Sequence, residues 1–134
     1  MKRITAKFDA HILVVEDYLL NAEVIKEILE IMGCVVDVAD SGMAALELLK
    51  ERDYNVIFMD IQMPVMDGLA TTREIKKLPG KKAQIPIVAL TANALRGDRE
   101  KYLAEGMDDF VSKPLTSSDL ERVLVKFVTG NKIS

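Results

Sequence analysis

One cysteine and one histidine are all that this chain offers to disulfides or to thiolate and imidazole metal sites. Cys34 has no second thiol to pair with, so an internal disulfide is excluded. A lone thiol fits a reducing compartment and a small apolar packing role. No apolar run approaches the ~20 residues that span a bilayer, and the N-terminus has no hydrophobic signal core. The expected location is therefore cytoplasmic, without membrane contact by this domain. With 18 Lys and Arg against 21 Asp and Glu, the formal charge is only −3. No strong field favours nucleic acid or an anionic membrane. Repeats and low-complexity segments are absent too.

What remains is ordinary in bulk: 134 residues, 49% apolar and 29% charged, which suits one globular domain with a proper core. The informative part is local. Val56 to Met59 is an apolar run too short for a helix and reads as a strand buried on both faces. It ends on Asp60. Met63-Pro64 then forces extended backbone, and Asp67-Gly68 supplies a turn or a helix cap. An acid at the carboxyl end of a buried strand, followed by a shaped loop, is where open α/β sheets bind ligands.

The rest of the chain repeats that pattern. Met1 to Ala10 has no clear period and reads as a tail or linker. His11 to Val15 is a strand ending in Glu16-Asp17. Leu20, Val24, Ile28 and Met32 recur at helical spacing before Gly33. Val35 to Ala39 is a second strand, and Ser41 caps a helix with Met43, Leu46 and Leu49 inward. A helix from about Leu69 to Lys77 follows the Asp60 strand, then a polar loop from Lys81 to Gln84. Ile85 to Leu90 is a strand ending on Thr91. Asp98 to Glu105 is a weak helix, and Asp109 to Val111 a short strand before Ser112-Lys113-Pro114. Ser118 and Glu121 fit a capping box for a last helix with Leu120, Val123, Leu124, Phe127 and Val128 inward. Alternating strands and helices predict a doubly wound α/β fold with a parallel sheet. The boundaries expected are a tail over 1–10, one domain over 11–130 and a second tail over 131–134.

Polar punctuation thus falls at strand ends: Glu16-Asp17, Asp60, Thr91 and Ser112-Lys113. A parallel sheet gathers those ends at one edge. Carboxylates ~4 Å apart repel by about 4 kcal/mol per pair at an effective dielectric near 20, and one lysine cannot offset that. Either the acids diverge or a cation sits among them. Oxygen ligands without His or Cys favour Mg²⁺. A carboxylate nucleophile, a divalent ion, a lysine and a hydroxyl suit phosphoryl transfer, which asks for positioning and charge neutralisation.

Four blocks carry a family resemblance. Ile12-Leu-Val-Val-Glu-Asp17, Met59-Asp-Ile-Gln-Met-Pro-Val-Met-Asp-Gly68, Ala89-Leu-Thr-Ala-Asn-Ala94 and Asp108-Asp-Phe-Val-Ser-Lys-Pro114 stand in the order of the receiver domains of two-component response regulators. From His11 to about Val128 the chain resembles that family, and most of all the receivers of hybrid sensor histidine kinases. The resemblance implies a flavodoxin-like (βα)5 fold with strand order 2-1-3-4-5. It implies that Asp60 accepts a phosphoryl group from a phosphohistidine and that the domain assists its own phosphorylation and dephosphorylation. Asp17 would bind Mg²⁺ (or Mn²⁺) directly and Glu16 through water, with Asp60 and the backbone carbonyl of Gln62 as further ligands. Thr91 and Lys113 would contact the phosphoryl oxygens, Phe110 would be the switch aromatic, and the Lys113-Pro114 peptide would be cis. Glu16 stands where many members have aspartate. Phe110 stands where others have tyrosine, so it offers no switch hydroxyl. Gln62 and Asn93 occupy positions that tune phosphate lifetime.

The implied partner is a histidine kinase or a histidine phosphotransfer domain, docking near the first helix, where Leu19 and Ala22 fall off the core stripe, and near Pro114-Leu115. His11 receives no role. Rival classes fare worse. An aspartate-nucleophile hydrolase of the haloacid dehalogenase type needs a second carboxylate two residues on, and Gln62 stands there. A nucleotide or flavin module wants a Gly-rich or hydroxyl-rich loop after the first strand, where Glu16-Asp17-Tyr18 presents negative charge. A degenerate receiver acting only as an interaction module is the remaining alternative, and Asp60, Thr91 and Lys113 together weigh against it.

Overall fold

A computed structural model of the chain describes residues 7–63, 65–92 and 98–128. Five strands, β1 (His11–Val15), β2 (Val35–Ala39), β3 (Val56–Asp60), β4 (Ile87–Thr91) and β5 (Asp109–Ser112), alternate with five helices. These are α1 (Leu19–Ile31), α2 (Gly42–Glu51), α3 (Gly68–Lys76), α4 (Asp98–Ala104) and α5 (Ser117–Val128). The strands form one parallel sheet in the order β2-β1-β3-β4-β5, the order that the resemblance implied.

Strand alternation sends successive side chains to opposite faces. Val56 and Phe58 pack with Ile25 and Leu29 of α1 and Leu120, Val123 and Leu124 of α5. Ile57 and Met59 pack with Ala45 and Leu49 of α2, Leu69 and Ile75 of α3 and Tyr102 of α4. The β3 run is buried on both faces throughout, which is why it carries no polar residue before its tip. Burying a side chain such as Phe58 contributes about 1.5–3 kcal/mol.

Several local expectations need correction. The inward face of α1 is Ala22, Ile25, Leu29 and Met32, whereas Leu20 and Val24 are 63% and 55% exposed. Apolar residues recur at helical spacing along both stripes of α1, so periodicity alone cannot choose between them. In α2 the buried positions are Gly42, Ala45 and Leu49, and Met43 points outward. Lys81 to Gln84 is not a loop but part of a 3₁₀ turn, Gly80–Gln84. The cap of α5 lies two residues earlier than expected: Thr116 N donates to Asp119 Oδ2 and Asp119 N to Thr116 Oγ1, both at 3.1 Å. The expected N-terminal tail is too long. Phe8 and Ala10 are buried in the α1/α5 core, and Phe8 N donates to Met32 O at 2.8 Å. Residues 1–6 and 129–134 lie outside the described residues, as do Pro64 and Asn93.

Candidate functional site

The carboxyl edge of the sheet is held by a backbone ladder that runs one residue past each strand. Glu16 N donates to Ala39 O, Ile61 N to Leu90 O and Lys113 N to Thr91 O, at 2.9–3.1 Å. The side chains that punctuate the strands are therefore anchored by their own main chain. Gly68 completes the frame. Its N–H donates to Ile61 O at 3.0 Å, and a Cβ there would lie 2.3 Å from Asp60 O. Only glycine lets α3 start so close to the β3 tip. Asp67 caps that helix, accepting from Ala70 N at 2.8 Å. The Lys113-Pro114 peptide is cis.

Within this frame Glu16, Asp17 and Asp60 each place a carboxylate oxygen within 4.8 Å of the others. Glu16 and Asp60 are buried, at 2% and 3% exposure, while Asp17 is exposed. Lys113 Nζ lies 3.2 Å from Asp60 Oδ1 and 3.4 Å from Glu16 Oε1. The Gln62 N–H also donates to Asp60 Oδ1, at 3.2 Å. Glu16 Oε2 accepts from Tyr18 N at 3.2 Å, but its Oε1 is buried without a hydrogen-bond partner among the described residues. A buried carboxylate oxygen that accepts no hydrogen bond is costly, even with an ammonium nearby.

The electrostatics follow. Burial, then hydrogen bonding with Asp60 and its charge, push the Glu16 carboxyl up to about 7, against smaller opposing effects of Lys113 and Tyr18 N–H. Burial would lower the Lys113 ammonium, but the Asp60 and Glu16 charges outweigh it and hold it above its usual value. One ammonium among three acids leaves negative charge unbalanced. An all-oxygen donor set of this kind fits a hard divalent cation.

Thr91 is buried at the tip of β4, where its carbonyl accepts from Lys113 N. Its Oγ1 lies 2.9 Å from the Tyr102 hydroxyl of α4. Phe110 is half-buried on β5, its ring 5.8 Å from the Arg99 guanidinium carbon. Sequence reasoning missed Tyr102 as a neighbour of this site. The one available signal was an aromatic in a helix of weak apolar period. His11 lies toward the other end of the sheet, 3.2 Å from Asp37. Beside the acids, a cleft of about 360 Å³ is lined in part by Glu16, Val24, Ile25, Lys113, Pro114 and Leu115.

This geometry has close relatives. The chain is 45% identical over 117 residues to the aerobic respiration control sensor protein ArcB of Escherichia coli, covering 87% of this chain and 15% of that one. It is 42% identical over 128 residues to hybrid signal transduction histidine kinase G of Dictyostelium discoideum, covering 94% and 4%. It thus spans a small fraction of the curated relatives that it matches. Among solved structures it is similar to the receiver domain of a Pseudomonas aeruginosa sensor histidine kinase, with magnesium coordinated in the active-site cleft of that protein (TM-score 0.80, 39% identity, 89% and 97% of the two chains). It is similar also to the Saccharomyces cerevisiae complex of the phosphotransfer protein Ypd1 with the receiver domain of Ssk1 (TM-score 0.86, 26% identity, 97% of each chain). Residues 12–125, from β1 into α5, match the family model described as response regulator receiver domain, and it is to that family that the chain belongs.

Proposed function

We propose that this domain takes a phosphoryl group from a phosphohistidine onto Asp60. The observation that carries the reading is the meeting of Asp60, Glu16, Asp17 and Lys113 at one edge, with Glu16 Oε1 buried and accepting no hydrogen bond among the described residues. A carboxylate oxygen of Asp60 attacks phosphorus, the P–N bond breaks, and its electron pair stays on the imidazole nitrogen of the donor. The product is an acyl phosphate. The Lys113 ammonium, already beside Asp60, moves its charge onto the incoming phosphoryl oxygens. The Thr91 hydroxyl is the second protein group we assign to the phosphoryl oxygens, and its engagement frees space for Phe110 to turn. That rearrangement is a population shift between two packings of the surface made by α4, β5 and α5.

Glu16, Asp17, Asp60 and the Gln62 carbonyl are the ligands we assign to Mg²⁺, with Mn²⁺ as substitute. The ion supplies charge neutralisation between the acids and the phosphoryl group. The donor is a histidine kinase or a histidine phosphotransfer domain. The exposed apolar stripe of α1, with Leu19, Leu20 and Val24 67%, 63% and 55% exposed and Val24 in the wall of the cleft, is where it docks. Ala22, expected to join that surface, is fully buried. The folded unit includes Phe8 and Ala10, ahead of His11. No helix among the described residues is long and apolar enough to cross a membrane. We assign the reaction to the cytoplasm on the reading of Cys34 as a buried, unpaired thiol.

Incubation with acetyl phosphate and Mg²⁺ tests the reading. Wild-type protein should gain one phosphoryl group by intact-mass spectrometry, and Asp60→Asn none. Undiminished labelling of Asp60→Asn would remove Asp60 from its role.

A further inference from the structure

We infer that Tyr102 is a latch on the switch: its hydroxyl holds Thr91 Oγ1 in the resting state, and phosphorylation of Asp60 must break that bond. The inference rests on the phosphoacceptor reading and adds to it a positioning residue in α4. Thr91 and Tyr102 are 4% and 5% exposed, and their hydroxyls meet at 2.9 Å in a bond itself shielded from water. Tyr102 belongs to the apolar cluster between the sheet and α2, α3 and α4. The bond therefore runs into that layer, whereas Asp60, Glu16 and Lys113 gather at the sheet edge. A threonine side chain has three staggered positions. The one seen here points the hydroxyl at Tyr102 in the apolar layer, and recruitment by a phosphoryl group at the edge would take another.

The position of the hydroxyl explains what Phe110 lacks. A phenylalanine cannot report the state of the site through a hydroxyl of its own. Here a tyrosine hydroxyl comes instead from α4, and bonds the same threonine that the phosphoryl group recruits. Arg99, one helical turn before Tyr102, lies over the Phe110 ring at 5.8 Å. Residues three apart share a helix face, so one face of α4 touches both Thr91 and Phe110. Withdrawal of Thr91 leaves the Tyr102 hydroxyl buried without that partner, a state α4 relieves by shifting.

Beryllofluoride with Mg²⁺, a stable stand-in for the acyl phosphate, tests this on the whole chain. Tyr102→Phe removes the bond and almost no volume. The variant should bind beryllofluoride about fivefold more tightly than wild type, which corresponds to ~1 kcal/mol for one hydrogen bond no longer broken. In ligand-free protein, Tyr102→Phe and Thr91→Val should be non-additive in thermal stability. Amide exchange in α4 should rise on beryllofluoride binding in wild type and stay level in Tyr102→Phe. Equal or weaker beryllofluoride binding by Tyr102→Phe, with wild type binding normally, would overturn the latch and leave the phosphoacceptor reading intact. Additive ligand-free effects would also overturn it. A wild-type protein that binds no beryllofluoride would overturn the phosphoacceptor reading, and the latch with it.

Discussion

Two aspartates on neighbouring parts of one sheet have opposite surroundings. Asp37, on β2, has more donors than it needs. Its Oδ2 meets Tyr54 Oη at 2.7 Å, Arg52 Nη1 at 2.9 Å and His11 Nε2 at 3.2 Å. Burial would raise its carboxyl, but the Tyr54 hydroxyl and the Arg52 guanidinium reverse that and hold it below its usual value. Asp60, at the carboxyl tip of β3, is buried beside another buried acid, and the two share one lysine. The first acid is saturated and serves the fold. The second is under-compensated and can gain only from something that arrives with positive charge or from conversion into something else. The residue type is the same, although Asp37 lies within the edge strand β2 and Asp60 at the tip of the central strand β3. The count of donors is what separates structure from reactivity.

The sharpest way to break that contrast is to remove each acid in turn. Asp60→Asn should lose all labelling by acetyl phosphate, as above, while keeping the fold. Asp37→Ala should do the reverse. It strips the acceptor from Tyr54, which is 6% exposed, and should lower stability in urea titration by about 2 kcal/mol. Its labelling rate should match wild type. Loss of labelling without loss of stability would mean that Asp37 belongs to the site.

Acid gives a second, smaller separation. The Asp37 carboxyl sits below its ordinary value of 3.8 in the folded chain. The unfolded chain then binds more protons in that range, so stability rises with pH there. The contribution is fully present above 3.8 and is lost as pH falls through the folded value. Thermal melts of wild type and Asp37→Ala should differ by a constant amount above pH 3.8 and converge below it. A gap that widens in acid would contradict the ion-pairing of Asp37.

The sheet order came from the family resemblance, but the burial of β3 and the gathering of polar residues at strand tips were legible from the chain itself. Each rests on a local signal: a short apolar run, a stop, a turn residue. The choice between two apolar stripes on α1 was not legible, because periodicity states a spacing and not a direction. Nor were Phe8 and Ala10, which pack as extended chain against α1 and the sheet and so leave no period to read. Thr116, rather than Ser118, caps α5 because two threonine or serine candidates stand two residues apart, each with an acid three residues on. Tyr102 escaped for another reason. Its partner is 11 residues away in sequence, and the contact exists only once α4 has folded back over β4.

The smallest effect sharpens the comparison most, because its sign is unusual. Glu16→Gln replaces a buried acid by its neutral isostere, and such a change usually costs stability where the acid is well paired. Here the pairing is poor. Glu16 Oε1 accepts no hydrogen bond among the described residues, and Asp60 is close enough to share a cation with it. Lys113 keeps Asp60 as a partner at 3.2 Å when the Glu16 charge is gone. The glutamine amide can donate where the carboxylate could only accept. Ligand-free Glu16→Gln should therefore be more stable than wild type by about 1 kcal/mol in urea titration with a chelator present. The same substitution should weaken Mg²⁺ binding, because it removes one of three acids from the donor set. A gain in stability together with a loss of metal affinity marks a residue held in place against the interest of the fold. A variant less stable than wild type in chelator would place Glu16 with Asp37, among acids that serve structure alone.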